Sequence, residues 1–110
     1  DPEGSISVVD LSGGVTNLTQ ADVTTIDFTA FNAQETTLID AGVRKLKASS
    51  TLAQDFEPEY ITVASNGKTA WATLQENNAV AVLDLENKVC TEVWPLGTKN
   101  YDVFGNGLDL

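Results

Sequence analysis

Four short β-type runs follow one another at tight intervals between residues 57 and 97, and this spacing constrains the fold more than any other feature. Residues 60–64 (YITVA) form the first run. Ser65-Asn66-Gly67-Lys68 then supplies an Asn-Gly turn, a strong hairpin signal because both central residues tolerate positive φ. Residues 69–74 (TAWATL) form the second run, followed by the polar turn Gln75-Glu76-Asn77-Asn78. Residues 79–85 (AVAVLDL) make the third, Glu86-Asn87-Lys88 turns again, and residues 89–94 (VCTEVW) make the fourth, ended by Pro95 and Gly97. Connections this short join antiparallel neighbours, so a four-stranded antiparallel sheet in sequence order is predicted.

Four such strands in about 40 residues match the period of one β-propeller blade. An internal repeat extends the pattern: Ile6-Ser7-Val8-Val9-Asp10-Leu11 aligns with Val80-Ala81-Val82-Leu83-Asp84-Leu85, Asp10 and Asp84 standing 74 residues apart. A plain blade repeat spans about 40 to 45 residues, so the excess falls to an insertion between Phe31 and Glu57. The expected fold is mainly β, a propeller fragment with one complete blade, part of the preceding one and a short helical insertion. Residues 1–31 would be the last two strands of the preceding blade, with runs at 5–11 and 23–31. Residues 32–56 would be the helix–loop insertion, 57–97 the complete blade and 98–110 the connection to the next. Within the insertion, Asn32 and Glu35 have capping-box spacing, which predicts a helix over 33–41 stopped by Gly42, then a loop over 44–54. The opening Asp1-Pro2-Glu3-Gly4 lacks Met and reads as mid-chain, so both ends are expected to be cuts.

Charge narrows the function classes. Sixteen acidic residues face six basic ones, a net charge of −10. No basic cluster exists to displace counterions from a phosphate backbone, which argues against nucleic acid. It also argues against docking on an anionic membrane, and no apolar run approaches the ~20 residues that span a bilayer. The chain has no histidine, which removes Ser-His-Asp, Cys-His and His-ligated zinc chemistry. Its single cysteine, Cys90, excludes an intrachain disulfide and sits in a strand-like run as an expected buried, inert thiol.

The segment Glu57-Pro58-Glu59-Tyr60 with Gln75-Glu76-Asn77-Asn78 resembles a bacterial extracellular propeller family, the choice-of-anchor I proteins. Some members are labelled alkaline phosphatase-like or mesenchyme-specific cell surface glycoprotein-like. The opening residues 1–12, the stretch 27–32 and residues 105–109 are similar to the same family, and residues 66–73 resemble the YVTN propeller repeat with Trp71 in place of Tyr. This resemblance implies a secreted or surface-anchored parent with seven blades, whose remaining blades would be partners of this segment. It supplies no catalytic residue. The sequon Asn17-Leu18-Thr19 is read as accidental in a bacterial protein.

Blade topology predicts that residues 1–4, the end of the insertion, the turn 75–78 and the tail converge on one rim. Asp55, Glu57 and Glu59 alternate, so in an extended segment they would share one side. Such a trio could hold calcium, with amide oxygens from Asn77 or Asn78, or could be solvated or paired with Arg44 or Lys45. Gln75, Glu76, Asn77, Asn78 and Asp109 are candidates for a polar ligand at the rim; the alternative is a turn bonding its own backbone. Trp71, Trp94 and Tyr60 are expected to pack. Two functions stay open: a scaffold or binding module with an acidic rim, and part of a calcium-assisted phosphoester or ester hydrolase. Unpaired strand edges predict either self-association with another copy or marginal stability.

Overall fold

The computed structural model describes residues 2–107. The fold is mainly β, with two antiparallel sheets. The first is the pair β1 (Ser5–Val9) and β2 (Val23–Asp27), in register from Ser5 opposite Asp27 to Val9 opposite Val23. The second contains β3 (Ile61–Val63), β4 (Thr69–Leu74), β5 (Ala79–Asp84) and β6 (Val89–Pro95) in sequence order. That is the predicted order of four antiparallel strands.

Local chemistry sets where strands stop. β2 ends at Asp27 and does not run to Phe31, because the Asp27 carboxylate accepts from the Thr29 amide (2.9 Å) and hydroxyl (2.5 Å), turning the chain into a 3-10 stretch over Thr29–Gln34. The Asn66-Gly67 turn also differs from expectation. Only Gly67 takes positive φ (69°); its amide donates to Ala64 O, and Asn66 Oδ1 accepts from Lys68 N. The loop is closed by Ala64 N–H on Thr69 O and so has four residues, for which a single left-handed glycine suffices. Asp84 shapes the β5–β6 turn by accepting from Glu86 N, Asn87 N and Asn87 Nδ2.

In the insertion the helix α1 (Glu35–Asp40) starts later than predicted. Asn32 and Glu35 form no capping box: Asn32 Oδ1 accepts from Ala53 N (2.8 Å), and Glu35 pairs with Lys45 Nζ (2.7 Å). Both side chains are drawn to tertiary partners. Gly42 is the expected left-handed stop (φ 112°), with Val43 N–H returning to Leu38 O. The predicted loop over 44–54 contains a second helix, α2 (Leu52–Asp55). Thr51 and Gln54 make its capping box, Gln54 N donating to Thr51 Oγ1 and Thr51 N to Gln54 Oε1.

One hydrophobic cluster joins the two sheets and the insertion. The second sheet contributes Ala70, Ala72, Leu74, Ala79, Ala81, Leu83 and Val93; the rest supplies Ile6, Ile26, Phe28, Phe31, Leu38, Val43, Leu52, Ala53 and Phe56. Strand register explains the sheet's share. Ala70 faces Leu83, Ala72 faces Ala81 and Ala81 faces Val93, so these side chains share one inner face. Four alanines on that face leave room for the large side chains packed over it, where Phe28 and Phe56 meet edge to face at 5.5 Å.

The opposite, outer face carries Tyr60, Trp71, Val80 and Trp94, and here packing departs from expectation. Tyr60 is 74% exposed and Trp94 46% exposed, while Trp71 is half-buried. Their strand positions alternate away from the core. The accessible surface, 7339 Å², exceeds the roughly 5,900 Å² expected of a compact monomer of this mass. Likewise, the radius of gyration is 16.7 Å against about 13 Å for a compact domain of this length.

Candidate functional site

The most constrained polar feature is the junction between the insertion and the β4–β5 turn. Because α2 ends at Asp55, that side chain is carried inward and is 6% exposed. Its Oδ1 accepts from Lys47 N (2.9 Å) and Ser50 Oγ (3.1 Å), and its Oδ2 from Leu46 N (2.8 Å) and Asn77 Nδ2 (2.9 Å). Asn77, fully buried, is held in the turn by its amide on Leu74 O. Its Nδ2 also donates to Arg44 O and Asp55 O, both at 3.0 Å, and its Oδ1 accepts from Glu57 N (3.3 Å). Two loops distant in sequence are thus locked by one buried amide and one buried carboxylate, each bonded to several partners.

Beside this junction lies a crevice of about 470 Å³. Pro2, Glu3 and Gly4 form one wall, Leu46 and Lys47 another, and residues 54–58 the floor and far side. Gly4 is pinned there by donating its amide to Ala53 O (2.9 Å), and a Cβ at this position would collide with the carbonyl of Phe56. Only glycine permits that approach. Glu3 and Glu57 are exposed at the mouth.

The three carboxylates proposed for calcium are not brought together. Asp55 closes a helix, so the alternation of an extended segment does not reach it, and its four acceptor positions are already taken. Glu57 and Glu59 are exposed. Among the described residues no group of three or more His, Cys, Asp or Glu side chains could hold a metal ion.

Of the rim candidates, Gln75 is exposed and Glu76 half-buried, its carbonyl accepting from Arg44 Nε at 2.7 Å. Asn78 takes positive φ (54°) and donates from Nδ2 to Gly42 O and Gly97 O. Asp109 lies outside the described residues. The Asp55–Asn77 pair is a tie that sequence reasoning missed; the Thr51-Leu52-Ala53-Gln54 capping box was the available signal for the helix that buries Asp55.

Electrostatics elsewhere follow local bonds. Hydrogen bonds from Ser12, Thr29 and Asn87 hold the carboxyls of Asp10, Asp27 and Asp84 below the usual carboxylate range. Burial pushes the Cys90 thiol up to about 11, so it is no nucleophile at neutral pH.

A family model described as the choice-of-anchor I domain matches residues 1–110. No curated protein and no solved structure matches the chain.

Proposed function

The chain belongs to the choice-of-anchor I domain family, and from that membership we propose a surface-associated binding module of an extracellular or cell-surface protein. The family's name points to attachment at a surface, and no helix among the described residues is long and apolar enough to cross a membrane. The strand order supports a propeller-type arrangement in which β1–β2 ends one blade and β3–β6 forms the next. In this reading residues 32–56 are an insertion between blades, residues 98–110 lead onward, and further blades of a longer parent are partners.

One observation carries the binding role: the opening segment, Leu46 and Lys47, and residues 54–58 at the end of the insertion line a crevice, beside which Asn77 of the turn is tied to Asp55. Glu3 and Glu57 at its mouth, on a chain of net charge −10, favour a cationic partner. The hydrolase alternative gains no support, since the site offers neither a nucleophile–base pair nor a converging carboxylate set.

A two-dimensional amide NMR titration with an oligolysine peptide tests the proposal. Shifts should concentrate at Glu3, Gln54 and Glu57 and fade at high salt. Shifts spread evenly over every acidic turn would show a diffuse ion atmosphere and no site.

A further inference from the structure

Two of the chain's six basic residues, Arg44 and Lys99, line a single pocket of about 360 Å³. It lies where the chain after α1, the β4–β5 turn and the chain after β6 meet, and it shares no lining residue with the crevice. Asn78 holds these three segments together. Its Nδ2 donates to Gly42 O (3.1 Å) and Gly97 O (2.8 Å), and its carbonyl accepts from Leu96 N (3.0 Å). Arg44 is anchored twice, its amide donating to Asn77 O (2.8 Å) and its Nε to Glu76 O (2.7 Å). A guanidinium has more donors than this, so those of its two terminal nitrogens remain to be used. Lys99 Nζ stands 5.7 Å from the centre of the Tyr101 ring, a contact that orients the ammonium without neutralising it.

Charge makes this pocket unusual. No carboxylate lines it. Among the described residues neither Arg44 nor Lys99 forms a salt bridge, whereas Lys45 and Lys68 pair with Glu35 and Glu86. On a chain with sixteen acidic residues, two cations share a pocket and no carboxylate answers them. We propose that this pocket binds an oxyanion, the carboxylate or phosphate group of a small ligand, held by the terminal guanidinium nitrogens of Arg44 and the ammonium of Lys99. The planar fork of an arginine matches two oxygens of such a group, and a lysine adds a point charge. The net charge of −10 does not forbid it. At physiological salt, exposed charges beyond about 8 Å are largely screened, so the two cations lining the pocket dominate the local field. The proposal goes beyond the binding role of the crevice, which favours the opposite charge, and does not depend on it.

An NMR titration of the isotope-labelled chain with inorganic phosphate, and separately with malonate, tests it at constant ionic strength. Shifts should saturate and concentrate at Gly97, Lys99, Tyr101 and the Arg44 Nε–H, a readout that needs no variant. Saturation by phosphate alone or by malonate alone would support the site and identify which oxyanion it takes. Arg44→Gln and Lys99→Gln should each weaken binding about tenfold, and Lys68→Gln, which removes the same charge from the β3–β4 turn, should leave it unchanged. The proposal is overturned by shifts spread equally over Lys68 and Lys88, by no saturable shift with either probe up to about 50 mM, or by equal weakening in all three variants.

Discussion

Replacing Asn77 by alanine should cost more than any other change in the 75–78 turn. The side chain is fully buried and donates to Arg44 O, Asp55 O and Asp55 Oδ2 while accepting from Glu57 N. Truncation removes one bond to a carboxylate, worth about 1.5–3 kcal/mol, and neutral bonds worth about 0.5–1.5 kcal/mol each. It also leaves the partners short of a donor. Water entering from the neighbouring crevice would recover some of this, so a net loss of about 3 kcal/mol is expected. For 110 residues the unfolding entropy is about 0.23 kcal/mol/K, so the midpoint should fall by about 13 °C. Urea unfolding followed by far-UV circular dichroism would measure it, with Gln75→Ala, an exposed neighbour, as a control expected within about 0.5 kcal/mol of wild type. A double-mutant cycle with Asp55→Asn should show coupling of about 1–2 kcal/mol. If Asn77→Ala also fell within about 0.5 kcal/mol of wild type, the junction would be a turn satisfied by its own backbone, and the account of the tie would be refuted.

Two further outcomes follow from the titrating groups. Asp10, Asp27 and Asp84 have depressed folded pKa values, so the unfolded chain takes up protons first as pH falls. Their stabilisation is fully present above about pH 4 and is lost as pH drops through the folded values. The triple Asp→Asn variant should therefore show a flatter dependence of stability on pH below that point; an unchanged slope would contradict the assignment. Cys90, at about 11, should react with a thiol reagent at pH 8 roughly two orders of magnitude more slowly when native than in urea. Equal rates would show that the thiol is not held in a desolvated site.

How legible this molecule is depends on whether the deciding interactions are local. The strand order of β3–β6 could be read in advance because each turn is short and each strand alternates. β2 and α1 were misjudged at their ends because the competing bonds are either a local aspartate turn at Asp27 or long-range partners: Asn32 serves Ala53 and Glu35 serves Lys45. The calcium trio illustrates the same limit. Alternation of Asp55, Glu57 and Glu59 is a valid rule for extended chain, but a four-residue helix ending at Asp55 removes its first member. The crevice brings the opening segment and the end of the insertion together, and the bond that ties Asn77 of the turn to Asp55 depends on burial, which no local pattern encodes. The tryptophans show the reverse case: apolar side chains in strands suggested core, yet their alternation placed them on the uncovered face.

The central claim is that the β1–β2 pair, the insertion and the four-stranded sheet share one core and unfold as one unit. Amide hydrogen exchange at low urea tests this most directly, by comparing Ile6 and Ile26 in the first sheet with Ala72 and Ala81 in the second. All four lie in the common buried cluster. The account predicts the same opening free energy and the same urea dependence for both sheets. Rapid exchange across β1 and β2 while β4 and β5 stay protected would show two independent units and contradict it.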